Sequence, residues 1–170
     1  MRQTFYRVFT GWLLVGWMLV IFLFSAQPAE ESGEMSGTVA FQLVDGAERV
    51  FGIDFSELDR FHLAEKLSYP IRKSAHMTEY AILALLAFWF WQSLGIEGKR
   101  AYRLSFLLAV AYAVTDELHQ ILVPGREGRF TDVCIDAAGA MIGLLLLSAV
   151  QRKGKRTRGK DCEKQTIPLQ

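Results

Sequence analysis

Leu104-Ser-Phe-Leu-Leu-Ala-Val-Ala-Tyr-Ala-Val114 runs directly into Thr115-Asp116-Glu117-Leu118-His119-Gln120. The first part suits lipid; the second carries three ionisable groups. A charged side chain at mid-membrane costs about 2.5–3.5 kcal/mol on insertion scales, so such groups face a protein interior or a cavity. Tyr112, Asp116, His119 and Gln120 recur at i, i+4, i+7 and i+8, which puts them on one helical stripe. Glu117 lies about 100° away and faces a different neighbour.

The same design appears in other stretches. Val8–Ala26, Ser74–Ser93, Leu104–Val123 and Val133–Val150 are each close to the roughly 20 residues needed to cross a bilayer. The second opens with Arg72-Lys73-Ser74-Ala75-His76-Met77-Thr78-Glu79-Tyr80 and is then apolar through Trp91. His76 and Glu79 are three apart and share a face. The fourth carries Asp136, on one stripe with Gly139, Ala140 and Gly143, where another helix can approach closely. That glycine pair serves packing within the monomer or a homodimer equally well. The ionisable groups of all three stretches fall at one end. Their convergence in a shared pocket is the central expectation.

Composition agrees with a membrane class. The chain is 51% apolar with net charge +1, and its mean hydropathy is positive. Such a balance implies no nucleic-acid partner for the whole protein. The first stretch also has the outline of a secretory signal, with Arg2 and Arg7 ahead of it and Ser25-Ala26-Gln27 after it. Trp12, Trp17 and three further spans favour an anchor. The amino terminus, the 95–103 loop and the tail after Val150 hold twelve Lys/Arg against three acids, whereas 27–73 plus 124–132 hold seven against eleven. Positive-inside bias therefore places both termini in the cytoplasm. The tail Arg152-Lys153-Gly-Lys155-Arg156-Thr-Arg158-Gly-Lys160 reads as a stop-transfer and anionic-lipid anchor rather than an RNA-binding arm. Cys134 and Cys162 sit on opposite sides of the membrane, so no disulfide is expected.

The expected fold is all-α: a four-transmembrane-helix bundle over 8–150, a basic cytoplasmic tail over 151–170, and an outer loop over 27–73. Within that loop, Gln27–Glu34 reads as acidic coil. Phe41, Val44, Ala47 and Phe51 then mark one short amphipathic helix, which Gly52 breaks. Ser56 caps a second, with Leu58, Phe61 and Leu67 on its face. The pair would cap the bundle or form a lid over the polar site. Pro70 stands where the next helix should begin. Val123-Pro124-Gly125-Arg126-Glu127-Gly128-Arg129-Phe130 is a tight turn, and Thr131 or Asp132 caps the last span.

Six acids at the polar end (Glu79, Asp116, Glu117, Glu127, Asp132, Asp136) outnumber four bases (Arg72, Lys73, Arg126, Arg129). The deficit is met by protonated His76 and His119, by protonated carboxyls or by a divalent metal. Phe24-Ser25-Ala26-Gln27-Pro28, the Lys73–Tyr80 string, Thr115–Gln120 and Pro124–Asp136 together resemble the VanZ-like family over about Trp12–Leu147. The resemblance implies a small bacterial integral membrane protein of the cytoplasmic (inner) membrane, related to one that accompanies glycopeptide resistance and raises tolerance to teicoplanin.

Four readings stay open. Buried ion pairs would simply fix helix register. A membrane enzyme would act on a lipid-linked envelope molecule, with His119, Glu79, Asp116, His76 and Asp136 as acid–base groups or ligands of a divalent metal. Arg126, Arg129, Lys73, Asp132, Gln120 and Glu117 would then bind the substrate. A non-catalytic protein would bind membrane lipid, a lipid-linked cell-wall precursor or a lipoglycopeptide antibiotic. An ion-coupled transporter fits least, because the inner halves of the second and third spans are apolar.

Overall fold

The computed structural model describes residues 2–165, with side chains through Lys153. Five helices follow one another: α1 Arg2–Ser25, α2 Ala29–Phe51, α3 Glu57–Ser93, α4 Gly98–Gln120 and α5 Phe130–Gln165. Among the described residues there is no strand, so the all-α expectation holds.

Helix α3 is the hub and packs against each of the other four. Tyr80, Leu83, Ala84, Ala87 and Phe88 line its buried faces and meet Leu14 and Ile21 of α1, Ala109 and Ala113 of α4, and Ala140 and Leu144 of α5. Alanine at so many of these positions lets backbones come close. The closest approach is between α3 and α5: a Cβ on Gly139 would stand 2.7 Å from Met77 Cα, and one on Gly143 would stand 2.9 Å from Ala81 O. The glycine face of α5 is thus filled by α3 of the same chain.

Among the described residues two helices are long and apolar enough to cross a membrane: α1 over Arg2–Ser25 and α5 over Phe130–Lys153. Only 22% and 33% of their apolar windows are buried inside the protein, which is unlike the core helix of a soluble domain. Trp12, Val15, Leu19 and Leu23 on α1, and Leu145 and Leu146 on α5, stay exposed.

The outer-loop reading needs correction. Ala29–Glu34 belongs to α2 rather than to an acidic coil. Glu30 and Glu31 occupy the first turn, where carboxylates favour a helix dipole, and Ala29 N donates to Pro124 O at 3.3 Å. The helix is a single 23-residue element, ended as expected by Gly52 in the left-handed conformation (φ 65°). It buries Ser36, Ala40 and Val44; Phe41 and Phe51 stay exposed. Ser56 does cap α3, accepting from Asp59 N at 3.2 Å. There is no second short helix, however: α3 runs 37 residues straight through Pro70. A proline forfeits one backbone hydrogen bond, and packing against α2 outweighs that loss. Ser36 and Ser68 hydroxyls lie 2.8 Å apart across this contact, and Arg60 Nε donates to Glu48 at 2.9 Å.

At the other ends, α4 stops at Gln120, and 121–123 form a turn rather than the last residues of a span. Helix α5 begins at Phe130, so Thr131 and Asp132 lie inside its first turn instead of capping it. Asp132 N bonds Arg129 O at 2.9 Å there. The helix also continues past Val150 to Gln165. The tail's side chains beyond Lys153, Cys162 among them, fall outside the described side chains.

Candidate functional site: two clefts joined at His76

The 124–129 turn, the start of α2 and the middle of α3 meet at the polar end of the bundle. Arg126 holds this junction together, its Nε donating to Gln27 O at 2.9 Å and its Nη2 reaching Phe24 O at 3.5 Å. Gly125 supplies the positive φ (73°) the turn requires.

Two clefts open here, and His76 lines both. One, about 230 Å³, is walled by the apolar side chains Phe24, Met35, Val39, Ile71 and Ala75, with Glu79, Arg72 and Arg126 at its polar margin. The other, about 340 Å³, is bordered by Tyr69, Arg72, Lys73, Arg126, Arg129 and Asp132. His76 Nδ1 is 3.7 Å from Glu79 Oε2, as their spacing predicts. Trp17 Nε1 donates to Glu79 O at 2.9 Å and fixes α1 against this turn of α3.

The cations divide into two kinds. Lys73 is paired with Asp132 at 2.5 Å, both largely buried. Arg129 is paired with Glu127 at 2.8 Å and lies mostly in solvent, and that carboxylate raises its pKa. Among the described residues, neither Arg72 nor Arg126 has a carboxylate within ion-pair distance. Arg72 reaches only the Ser36 hydroxyl, at 3.4 Å, and its Nε is buried without a partner. Burial, followed by the neighbouring Arg72 charge, pulls the Arg126 pKa below its ordinary value. Two guanidinium groups that repel each other beside an apolar cleft are an arrangement an anion would relieve.

Deeper in the bundle the remaining candidates separate. Glu117 turns to the loop, as its angular offset predicted, and accepts from Arg129 N at 2.5 Å. Gln120 donates to Ser25 Oγ at 2.8 Å and to Asp116 Oδ2 at 3.3 Å. Asp116 Oδ1 and the Tyr80 hydroxyl are buried without partners. Asp136 is 3% exposed and borders a cell of about 10 Å³ beside Lys73, Glu117 and Gln120, close to the space one water needs. His119 lies against α1, its ring 4.6 Å from that of Phe22 and its Nε2 unpartnered. It lines neither cleft.

The proposed ligand set of His76, Glu79, Asp116, His119 and Asp136 does not close around a point. Among the described residues no group of three or more His, Cys, Asp or Glu is placed to hold a metal ion. Adjacent positions on one helix converge in pairs; rotation between helices sends His119 toward α1 and leaves Asp136 near α3. Arg72 and Ser36 are site residues the sequence reading missed. Arg72 was counted among the bases of the polar end without a role, while Ser36 falls between the stretch read as coil, Gln27–Glu34, and Phe41, the first residue assigned to the next helix. A larger groove of about 530 Å³ at the opposite end, lined by Arg2, Arg7 and Ser93, gathers no comparable set.

A family model described as VanZ/LLP1 matches residues 10–151. No curated protein and no solved structure matches the chain.

Proposed function

The chain belongs to the VanZ/LLP1 family, and from that premise we propose that it binds the phosphate-bearing headgroup of a lipid-linked envelope molecule, contributing to tolerance of teicoplanin-type glycopeptides. The observation that carries this reading is the pair Arg72 and Arg126. Both line the apolar cleft and the polar one, and among the described residues neither has a carboxylate within ion-pair distance. A phosphate between them would replace repulsion with charge-assisted hydrogen bonds. The apolar wall accepts the lipid next to it.

The membrane frame belongs to the same proposal. α1 and α5 cross the bilayer, and so do residues 74–93 of α3 and α4, whose polar faces turn inward and dilute their hydropathy. With both termini and the basic tail in the cytoplasm of a bacterial inner membrane, the two clefts open at the outer face. Reporter fusions after Ala26, Gly95, Pro124 and Lys153 test this; a cytoplasmic signal from the Pro124 fusion overturns it.

Binding is measured with purified protein and lipid phosphates, after native lipid extraction has named the resident molecule. Hydrogen bonds to charged groups contribute about 1.5–3 kcal/mol each. Arg126→Gln or Arg72→Gln should therefore weaken binding at least tenfold. Unchanged affinity in both variants removes the reading.

One further observation favours chemistry at the same place. His76 and Glu79 line the cleft wall within 3.7 Å of each other. In an enzyme acting on the bound headgroup, this pair would move a proton there. Turnover of the extracted lipid that is lost in both His76→Gln and Glu79→Gln, with binding retained, supports that version. Absence of turnover in the wild type leaves the protein a binder.

A further inference from the structure

Helix α2 has an apolar face that α3 does not cover. Its buried stripe is Ser36, Ala40 and Val44. Alongside, at i, i+4 and i+8, Met35, Val39 and Leu43 are 46%, 41% and 56% exposed. Glu34 and Asp45 fall more than about 100° around the helix from the centre of this stripe, and Glu31 and Arg49 flank it beside Met35. Met35 and Val39 are also the wall of the cleft that ends at Arg72 and Arg126. At about 230 Å³ this cleft is smaller than the roughly 300–1,000 Å³ that encloses a whole small ligand. Whatever places a phosphate at the arginines must let the rest of itself leave over an open side, and the side that is open and apolar is this stripe.

Resting on the phosphate reading above, we propose that Met35, Val39 and Leu43 form the track for the hydrocarbon chain of a lipid phosphate taken sideways from the outer leaflet. The charge at one end and the grease along the other wall together fit an amphiphile with a single anionic head. Three residues spaced by four cover about 12 Å of helix, so the chain is held near its head while its far end stays among the lipids. Each methylene taken from water onto such a surface is worth about fourfold in affinity. Leu43 extends the track one turn beyond the cleft. A prenyl phosphate and a diacyl phosphatidic acid share this chemistry.

The test uses the full chain in lipid nanodiscs and two alkyl phosphates carrying a diazirine, one near the phosphate and one several carbons along. Photolabelling is located by mass spectrometry. The expected result is adducts on Met35 and Val39 from the first probe and a shift toward Leu43 from the second. Arg126→Gln, with Arg72→Gln as a second variant in case the first disturbs the turn, should lower both signals at least tenfold. Excess unlabelled prenyl phosphate or phosphatidic acid then competes, and the better competitor names the source. Labels confined to α1 and α5, or the same residues labelled by both probes, overturn the track while leaving phosphate binding intact. Full labelling of the stripe in both arginine variants overturns the phosphate reading and keeps the track.

Discussion

Replacing Gly139 with alanine tests the glycine at which an added Cβ meets its neighbour most closely among the described residues. The new Cβ would stand 2.7 Å from Met77 Cα and 2.8 Å from Met77 C, with Met77 O closer still. Carbon atoms settle at about 3.5–4.0 Å, so α3 and α5 must part locally by about 0.8 Å. Backbone cannot rotate out of the way as a side chain can. The cost therefore falls at the upper end of the 1–3 kcal/mol typical of overpacking, about 3 kcal/mol. Alanine's better helix propensity returns about 1 kcal/mol, leaving a loss of about 2 kcal/mol. For a chain of this size each kcal/mol moves Tm by roughly 2–4 °C, so Gly139→Ala should unfold about 4–8 °C below the wild type.

Two sister substitutions fix the sign of this argument. Gly143→Ala meets Ala81 O at 2.9 Å and Ala81 Cα at 3.1 Å, a milder conflict that the propensity gain nearly cancels. Gly46→Ala on α2 meets nothing within 4 Å, so it should stabilise by about 1 kcal/mol. Tryptophan fluorescence during heating in one detergent reads the series, because Trp17 and Trp91 are partly buried and pack against the core. Met77 sits between His76 and Glu79, so Gly139→Ala should also weaken lipid-phosphate binding by displacing the cleft wall. A Gly139→Ala protein that melts at or above the wild type refutes the α3–α5 packing described here.

Two other expectations follow from ion pairs. Lys73→Met strands Asp132 in a largely buried position, and losing one partner of such a pair costs about 3 kcal/mol; Lys73→Met with Asp132→Asn should recover much of it, and additive losses in thermal unfolding would count against a pair. At the α2–α3 hairpin the Phe55 amide, with Arg60 assisting, holds the Glu48 carboxyl below its usual 4.5. A depressed folded pKa stabilises fully above the unfolded value and less as pH falls through the folded one. Hydrogen exchange at Phe55 should therefore accelerate, beyond its intrinsic rate, below about pH 4.5, and Glu48→Gln should abolish that acid dependence. Protection that stays constant down to pH 3 contradicts it.

Much of the fold was legible because it is written in local rules. Apolar runs gave helices where α1, α3, α4 and α5 lie, Gly52 gave a left-handed stop, and Ser56 gave a cap. The Gly139–Gly143 stripe gave a close helix contact. Errors arose where tertiary contact overrode a local preference. Gln27–Glu34 has the composition of a coil, yet Pro124 O receives Ala29 N and lets α2 begin there. Pro70 looks like a boundary, yet α2 packs across it.

The site shows the same division more sharply. Spacing along one helix paired His76 with Glu79, which lie 3.7 Å apart, and put Asp116 on one stripe with Gln120, to which it is hydrogen-bonded. The Asp116–His119 ligand pair read from the same spacing is replaced by a His119 ring against Phe22. Spacing could not give the rotation of one helix against another, which carries His119 to Phe22 and denies the carboxylates a common centre. Nor could it separate Arg126 from Arg129, three residues apart in one turn. Arg129 reaches out to Glu127, while Arg126 folds back onto the carbonyls of Gln27 and Phe24 and comes beside Arg72. Counting charges at the polar end gave an excess of acid, to be met by protonated histidines, protonated carboxyls or a bound divalent cation. In the structure Asp132 pairs with Lys73, Glu127 and Glu117 bond Arg129, Asp116 accepts from Gln120, and Glu79 faces His76 at 3.7 Å. Among the described residues Arg72 and Arg126 line the cleft without a carboxylate in ion-pair distance, which is why the proposed ligand is an anion.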